Sequence, residues 1–232
     1  MIGCLCIHGF TGGPFEVEPL AQFLKKNTDW MVEMPTLPGH GGELGLLKGI
    51  AYQQWIQEAE QSLVKMLEKC STVYLIGFSM GGVISGYLAT KYPVKKLVLL
   101  SAAAYYVNPK QLLLDIKEMA AEGMRGSLND NELFQRYRKK IKETPLTATF
   151  QFQRLVKELK PALSKIEVPT LIIQGELDGI VPKKSASYLY ETIPSKEREL
   201  IYLPKSKHLV CYDQDQDQLF SAVERFLIKQ KS

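Results

Sequence analysis

In the run GFSMGG, residues 77–82, a serine stands between glycines directly after an apolar stretch. Val73–Ile76 before it have the pattern of a buried strand, and Met80–Ala89 after it are small and apolar, as a closely packed helix requires. A serine at a sharp strand-to-helix turn is held in strained backbone with its hydroxyl raised clear of the sheet. Glycines at 77 and 81 remove the Cβ atoms that such a turn would crowd. The N-terminus of the following helix aims free N–H groups at the same place, which favours negative charge there. These features suit Ser79 to act as a nucleophile.

A serine hydroxyl needs a base. The chain has three histidines. His8 stands in HGFTGG after the first apolar run, His40 in LPGHGG at a turn, and His208 in LPKSKHLVCYD after the last predicted strand. In sheets that carry such a serine, an acid and then a histidine follow it along the chain. Of the three histidines only His208 comes after Ser79. The orienting carboxylate is expected in the loop after the preceding strand, where TLIIQGELDGIVP offers two candidates. The GxxDxxVP spacing puts Asp178 at the apex of that loop, with Glu176 as the fallback. Asp213 and Asp215 follow the histidine and are out of order. Two backbone N–H groups must receive the charge that develops on an attacked carbonyl oxygen. Met80, next to the serine, is expected to supply one, and Phe10, in the glycine-rich loop after the first strand, the other.

The elements that must position these groups are legible as alternation. IGCLCI (2–7), WMVEM (30–34), TVYLI (72–76), KLVLLS (96–101), TLIIQ (170–174) and ELIYL (199–203) read as strands. Their nearly continuous hydrophobicity is that of strands covered on both faces. Helical spacing fills 14–27, 51–70, 80–92, 183–193 and 214–230. Such alternation predicts an α/β fold with a mostly parallel central sheet of about six or seven strands flanked by helices. Residues 1–104 and 167–232 would form this core. From 105 to 166 only helical pattern occurs, so a helical cap inserted over the ligand-binding edge of the sheet is expected. Within it Leu113, Met119, Phe134 and Phe152 are candidates to line a substrate pocket, although residues of this kind also pack a cap onto its core.

Composition narrows the class. At 232 residues, with 45% hydrophobic and 23% charged residues, the chain has the make-up of one globular domain. The net charge of +4 is mild, and the basic cluster RYRKKIK (136–142) reads as a solvated helix face, so no nucleic-acid partner is expected. Four cysteines without C-x-x-C spacing argue against a metal site or a disulfide framework. The N-terminus lacks a charged lead and a long apolar run, and no stretch has the length of a membrane span. A cytoplasmic protein without stable membrane insertion, acting as a monomer or weak dimer, is expected.

HGFTG (8–12), PGHG (38–41), GFSMGG (77–82), ETP (143–145), GELDGIVP (175–182) and SKHLVCYD (206–213) together resemble the α/β-hydrolase superfamily, and within it the small bacterial carboxylesterases and monoacylglycerol lipases. The resemblance spans essentially the whole chain. It implies a catalytic triad of Ser79 as nucleophile, Asp178 as orienter and His208 as base, with the amides of Phe10 and Met80 as oxyanion hole. It also implies a helical cap lining an acyl pocket, no metal or organic cofactor, and cleavage of short- to medium-chain carboxylic esters through an acyl-enzyme. A monoacylglycerol lipase, a thioesterase or a non-catalytic ligand receptor on the same fold are the alternatives. The chain departs from the pattern at Gln54, where relatives often carry an acid before the tryptophan. It also begins at the strand before the oxyanion loop, so a minimal sheet is expected.

Overall fold

The computed structural model describes residues 1–105 and 143–229. Six strands form one parallel sheet: β1 Ile2–Ile7, β2 Met31–Glu33, β3 Thr72–Phe78, β4 Lys96–Leu100, β5 Thr170–Gly175 and β6 Arg198–Leu203. Their order across the sheet is β2-β1-β3-β4-β5-β6. All five pairings are parallel, and each predicted strand is present. β3 runs two residues past its predicted end because its ladder with β4 continues to Phe78 opposite Leu100.

The helices are α1 Glu18–Asn27, α2 Tyr52–Lys69, α3 Met80–Ala89, α4 Leu146–Leu159, α5 Lys183–Thr192 and α6 Gln216–Ile228. Successive strand residues face opposite sides, so the apolar runs feed two cores. Leu5, Ile7, Leu75, Leu97, Leu99 and Ile172 pack with residues of α2, α3, α4 and α5. Cys4, Cys6, Ile76, Val98, Leu100 and Ile173 pack on the other face with α1 and α6. α3 is buried along nearly its whole length, which is why its sequence is apolar all round. At the departure from the family pattern, Gln54 caps α2 by accepting the Ala51 N–H at 2.9 Å.

Of the predicted insertion, residues 106–142 lie outside the described residues, and with them Leu113, Met119 and Phe134. The returning part is helical, α4 followed by a 3₁₀ segment, Lys160–Lys165. Lys160 sets its ammonium over the rings of Tyr105 and Tyr188, at 3.4 and 4.2 Å, and so ties the start of the insertion to its end.

One buried cation closes the far side of the sheet. Lys96, at the start of β4, donates to the carbonyls of Phe226, Leu227 and Lys229 at 2.7, 3.2 and 2.5 Å, capping the C-terminus of α6. Burial pulls this ammonium below the ordinary lysine value, and the three acceptors offset that cost. Lys96→Met should leave those carbonyls without a charged donor and cost about 1–3 kcal/mol. At roughly 2–4 °C per kcal/mol for a chain of this size, thermal denaturation should show Tm lower by several degrees.

Candidate active site

The strand order reverses direction between β1 and β3, since β2 lies on one side of β1 and β3 on the other. Open α/β sheets bind ligands at such a point, beyond the C-terminal ends of the strands. The register makes the reason concrete. Ile7 lies opposite Gly77, so the loop beginning at His8 and the turn carrying Ser79 leave the sheet side by side.

Ser79 sits at φ 53°, ψ −116°, between the end of β3 and the start of α3. Positive φ is unfavourable for a residue with a Cβ, and here the surroundings impose it. Ser79 N–H donates to Leu100 O at 2.9 Å, while Ser79 O accepts from Gly82 and Ala103 N–H, both at 3.1 Å. A Cβ on Gly77 would overlap Gly81 O and Gly82 Cα, and one on Gly81 would overlap the carbonyls of Ile7 and His8. The two glycines let α3 start hard against β1, which brings the serine beside the first loop.

The acid and the histidine arrive from two strands across the sheet. β5 and β6 end in register, Gly175 opposite Leu203, and the loops beyond them are bonded together. Glu176 N–H donates to Leu203 O at 2.8 Å and Leu177 N–H to Ser206 O at 3.0 Å. Asp178 Oδ1 accepts the N–H groups of Ile180 and Val181 at 2.8 and 2.9 Å, an arrangement that folds the loop around its own carboxylate. Asp178 Oδ2 lies 2.8 Å from His208 Nδ1, and His208 Nε2 lies 3.1 Å from Ser79 Oγ. All three side chains are at least nine-tenths buried. Glu176, the other carboxylate in the loop, points outward to a surface pair with Lys183 at 2.9 Å.

In such a chain of contacts a carboxylate can hold the ring's proton on Nδ1, and Nε2 is then able to accept from a hydroxyl. Below the ring Phe78 packs with centroids 4.9 Å apart. Met80 opens α3, where the first amides have no carbonyl of their own helix to bond. Phe10 follows Gly9, whose N–H donates to the buried carboxylate of Glu16 at 2.9 Å. Neither Glu16 nor its part in bracing this loop was expected from the sequence. An acid three positions after the glycine pair Gly12–Gly13 was the available signal.

An aromatic wall stands beside the loop that carries Phe10. Phe10 stacks on Phe152 of α4 with centroids 4.9 Å apart and planes 10° from parallel. Trp55 lies 5.8 Å from Phe10, and His40 lies 5.3 Å from Trp55 and 5.1 Å from His8. Trp55 donates its indole N–H to Pro38 O at 3.0 Å, and His8 Nε2 accepts Leu37 N–H at 3.1 Å, so both pin the PGHG turn to the site. Behind the histidine, Asp213 accepts Lys207 N–H at 2.6 Å, and Asp215 accepts the Lys205 N–H and the Ser206 hydroxyl at 2.7 and 2.8 Å. The two acids excluded by chain order thus shape the loop that presents His208.

Residues 3–215 match the family described as serine aminopeptidase, S33. The chain belongs to this family. It is 30% identical over 243 residues to a thermostable monoacylglycerol lipase of Bacillus sp. (strain H-257), covering 98% of this chain and 91% of that one. It is 23% identical over 226 residues to a carboxylesterase of Bacillus subtilis (strain 168), covering 97% and 92%. A solved structure from work on LipS and LipT, two metagenome-derived lipolytic enzymes, superposes with a TM-score of 0.80 at 24% identity, covering 99% of this chain and 94% of the other. This member of the serine aminopeptidase, S33 family is a carboxylic ester hydrolase. Among the described residues no helix is long and apolar enough to cross a membrane.

Proposed function

We propose that the chain cleaves short- to medium-chain carboxylic esters through an acyl-enzyme on Ser79. The observation that carries this reading is the continuous chain of contacts from Asp178 Oδ2 through both ring nitrogens of His208 to Ser79 Oγ. His208 would take the serine proton as Oγ attacks the ester carbonyl and return it to the departing alcohol. Asp178 would hold the proton on Nδ1 and stabilise the imidazolium. The amides of Phe10 and Met80 would receive the oxyanion, each such donor being worth about 10²–10³ in rate. Water would then attack the acyl-serine by the same route, restoring the free hydroxyl.

Phe152 supports the size of the substrate. Its ring, packed flat on that of Phe10, closes the space beside one of the proposed oxyanion donors with a rigid apolar surface. A glycerol monoester is the second reading, favoured by the monoacylglycerol lipase that matches the chain over almost its full length. The four cysteines are buried and free, which suits a reducing compartment, and we place the enzyme in the cytoplasm as a monomer or weak dimer.

The test is kcat/KM across nitrophenyl esters of increasing acyl length, with Ser79→Ala as control. Turnover should peak at a short or medium chain and vanish in the variant. Phe152→Ala should move the peak to longer chains by several-fold in relative kcat/KM. A flat profile, or one rising only towards long-chain monoacylglycerols, would replace the first reading with the second.

A further inference from the structure

β5 is apolar from Leu171 to Ile173 and then buries a glutamine. Gln174 has no exposed surface. Its Nε2 donates to Asp178 Oδ2 at 2.7 Å and also faces Val181 O at 3.2 Å and Gly175 O at 3.4 Å. Its Oε1 meets no donor among the described residues. A buried amide crowded with acceptors at one end is orphaned at the other, and the orphaned oxygen carries a desolvation cost that an apolar side chain would not. The amide cannot turn round, since Oε1 would then face a carboxylate. The orphan is the consequence of aiming the NH₂ group at Asp178.

We propose that Gln174 is a positioning residue of the hydrolytic reaction, sharing Asp178 Oδ2 with His208 Nδ1 and thereby setting how much negative charge the imidazole feels. The inference rests on the assignment of Ser79, His208 and Asp178 made above. With Ile180 and Val181 on Oδ1, the Gln174 amide brings the carboxylate to four N–H partners. Donors on a carboxylate stabilise its charge and weaken its pull on any one of them. The carboxylate is then held in one plane, with its charge shared among four donors.

Other ionisable groups surround the pair. Asp213, on the histidine loop, has its carboxyl pushed up by burial, against the pull of the Lys207 amide and ammonium, with the charges of Asp215 and Asp178 adding to the rise. Glu176 is held outside by Lys183. Tyr202, opposite Gln174 on β6, has its hydroxyl 3.1 Å from that of Ser187. Among the described residues, Gln174 and His208 are the side chains bonded to Asp178 Oδ2.

Gln174→Met and Gln174→Leu, both donor-less but differently shaped, test this in pH profiles of kcat/KM for a short nitrophenyl ester. Removing the donor concentrates charge on Oδ2 and favours the protonated ring. The acid limb should therefore move to higher pH by about 0.5–1 unit, equally in both variants. An acid limb that does not move in either variant, with Ser79→Ala inactive, would overturn the role of Gln174 and leave the hydrolytic assignment standing. Turnover that survives Ser79→Ala would remove the assignment itself.

Discussion

Replacing His208 by alanine should lower kcat/KM for a nitrophenyl ester by about 10⁴–10⁶ while leaving the protein folded. The size of the loss follows from the lack of a substitute. His40 is committed to the aromatic wall, where its Nδ1 lies 3.1 Å from Pro38 O. His8 uses Nε2 to accept from Leu37 and has Nδ1 2.9 Å from Gly9 O, so both of its ring nitrogens are engaged with backbone. With the His208 ring gone, the serine proton has no acceptor, and what remains is the contribution of binding and of the oxyanion donors. The fold should survive because the histidine loop is held by Asp213 and Asp215 and by Tyr212, whose hydroxyl donates to Phe15 O at 2.7 Å. Unchanged thermal melting with lost turnover would separate chemistry from stability. A variant within tenfold of wild type would remove His208 from the mechanism.

That loop bond also shows how the site is assembled from distant sequence. Tyr212 and Phe15 are 197 positions apart, yet they join the loop after β6 to the loop after β1, at opposite sides of the serine. Asp178, held by loops from β5 and β6, and Ser79, held by β3 and α3, are separated by β4. The imidazole spans the gap because both loops rise from the same edge of a parallel sheet. A parallel sheet gives every strand's end the same side, so groups from strands far apart in sequence converge without any of them leaving a short loop.

This convergence explains what could be read without coordinates. The strands were legible because each is buried on both faces and therefore continuously apolar. Ser79 was legible because its turn needs glycine where Gly81 meets the carbonyls of β1. His208 followed from chain order and from there being so few histidines. The choice between Asp178 and Glu176 rested on loop spacing, and the structure places the two apart, one on His208 and one on Lys183. Gln174, Glu16, Asp213 and Asp215 were not legible in their present roles. Each acts through a contact made within its own loop or strand end, four to ten positions along the chain, and no periodicity records how such a loop closes on itself. The stacking of Phe152 on Phe10 was not legible because it depends on how α4 meets the first loop, although the sequence points to the ring of one and the amide of the other.

The loop spacing has a sharp consequence for substitution. Asp178→Asn should reduce kcat/KM by about 10⁴, far more than its single-atom change suggests. The four partners of the carboxylate are all N–H groups, two on each oxygen. An asparagine can offer only one oxygen, so its NH₂ must confront two of them. If the oxygen stays with the Ile180 and Val181 amides, the NH₂ faces Gln174 and His208. The histidine can then accept at Nδ1 only by moving its proton to Nε2, where it points at Ser79 and can no longer take the serine proton. If the amide turns round, the loop at 178–181 loses both bonds that fold it. Glu176→Gln, by contrast, should change kcat/KM by less than about twofold, because its pair with Lys183 is exposed and such pairs contribute little. Measuring both variants at one pH decides the assignment: if the glutamine variant were the more damaged, the carboxylate that orients His208 would be Glu176, and the geometry around Asp178 would have to be a feature of folding alone.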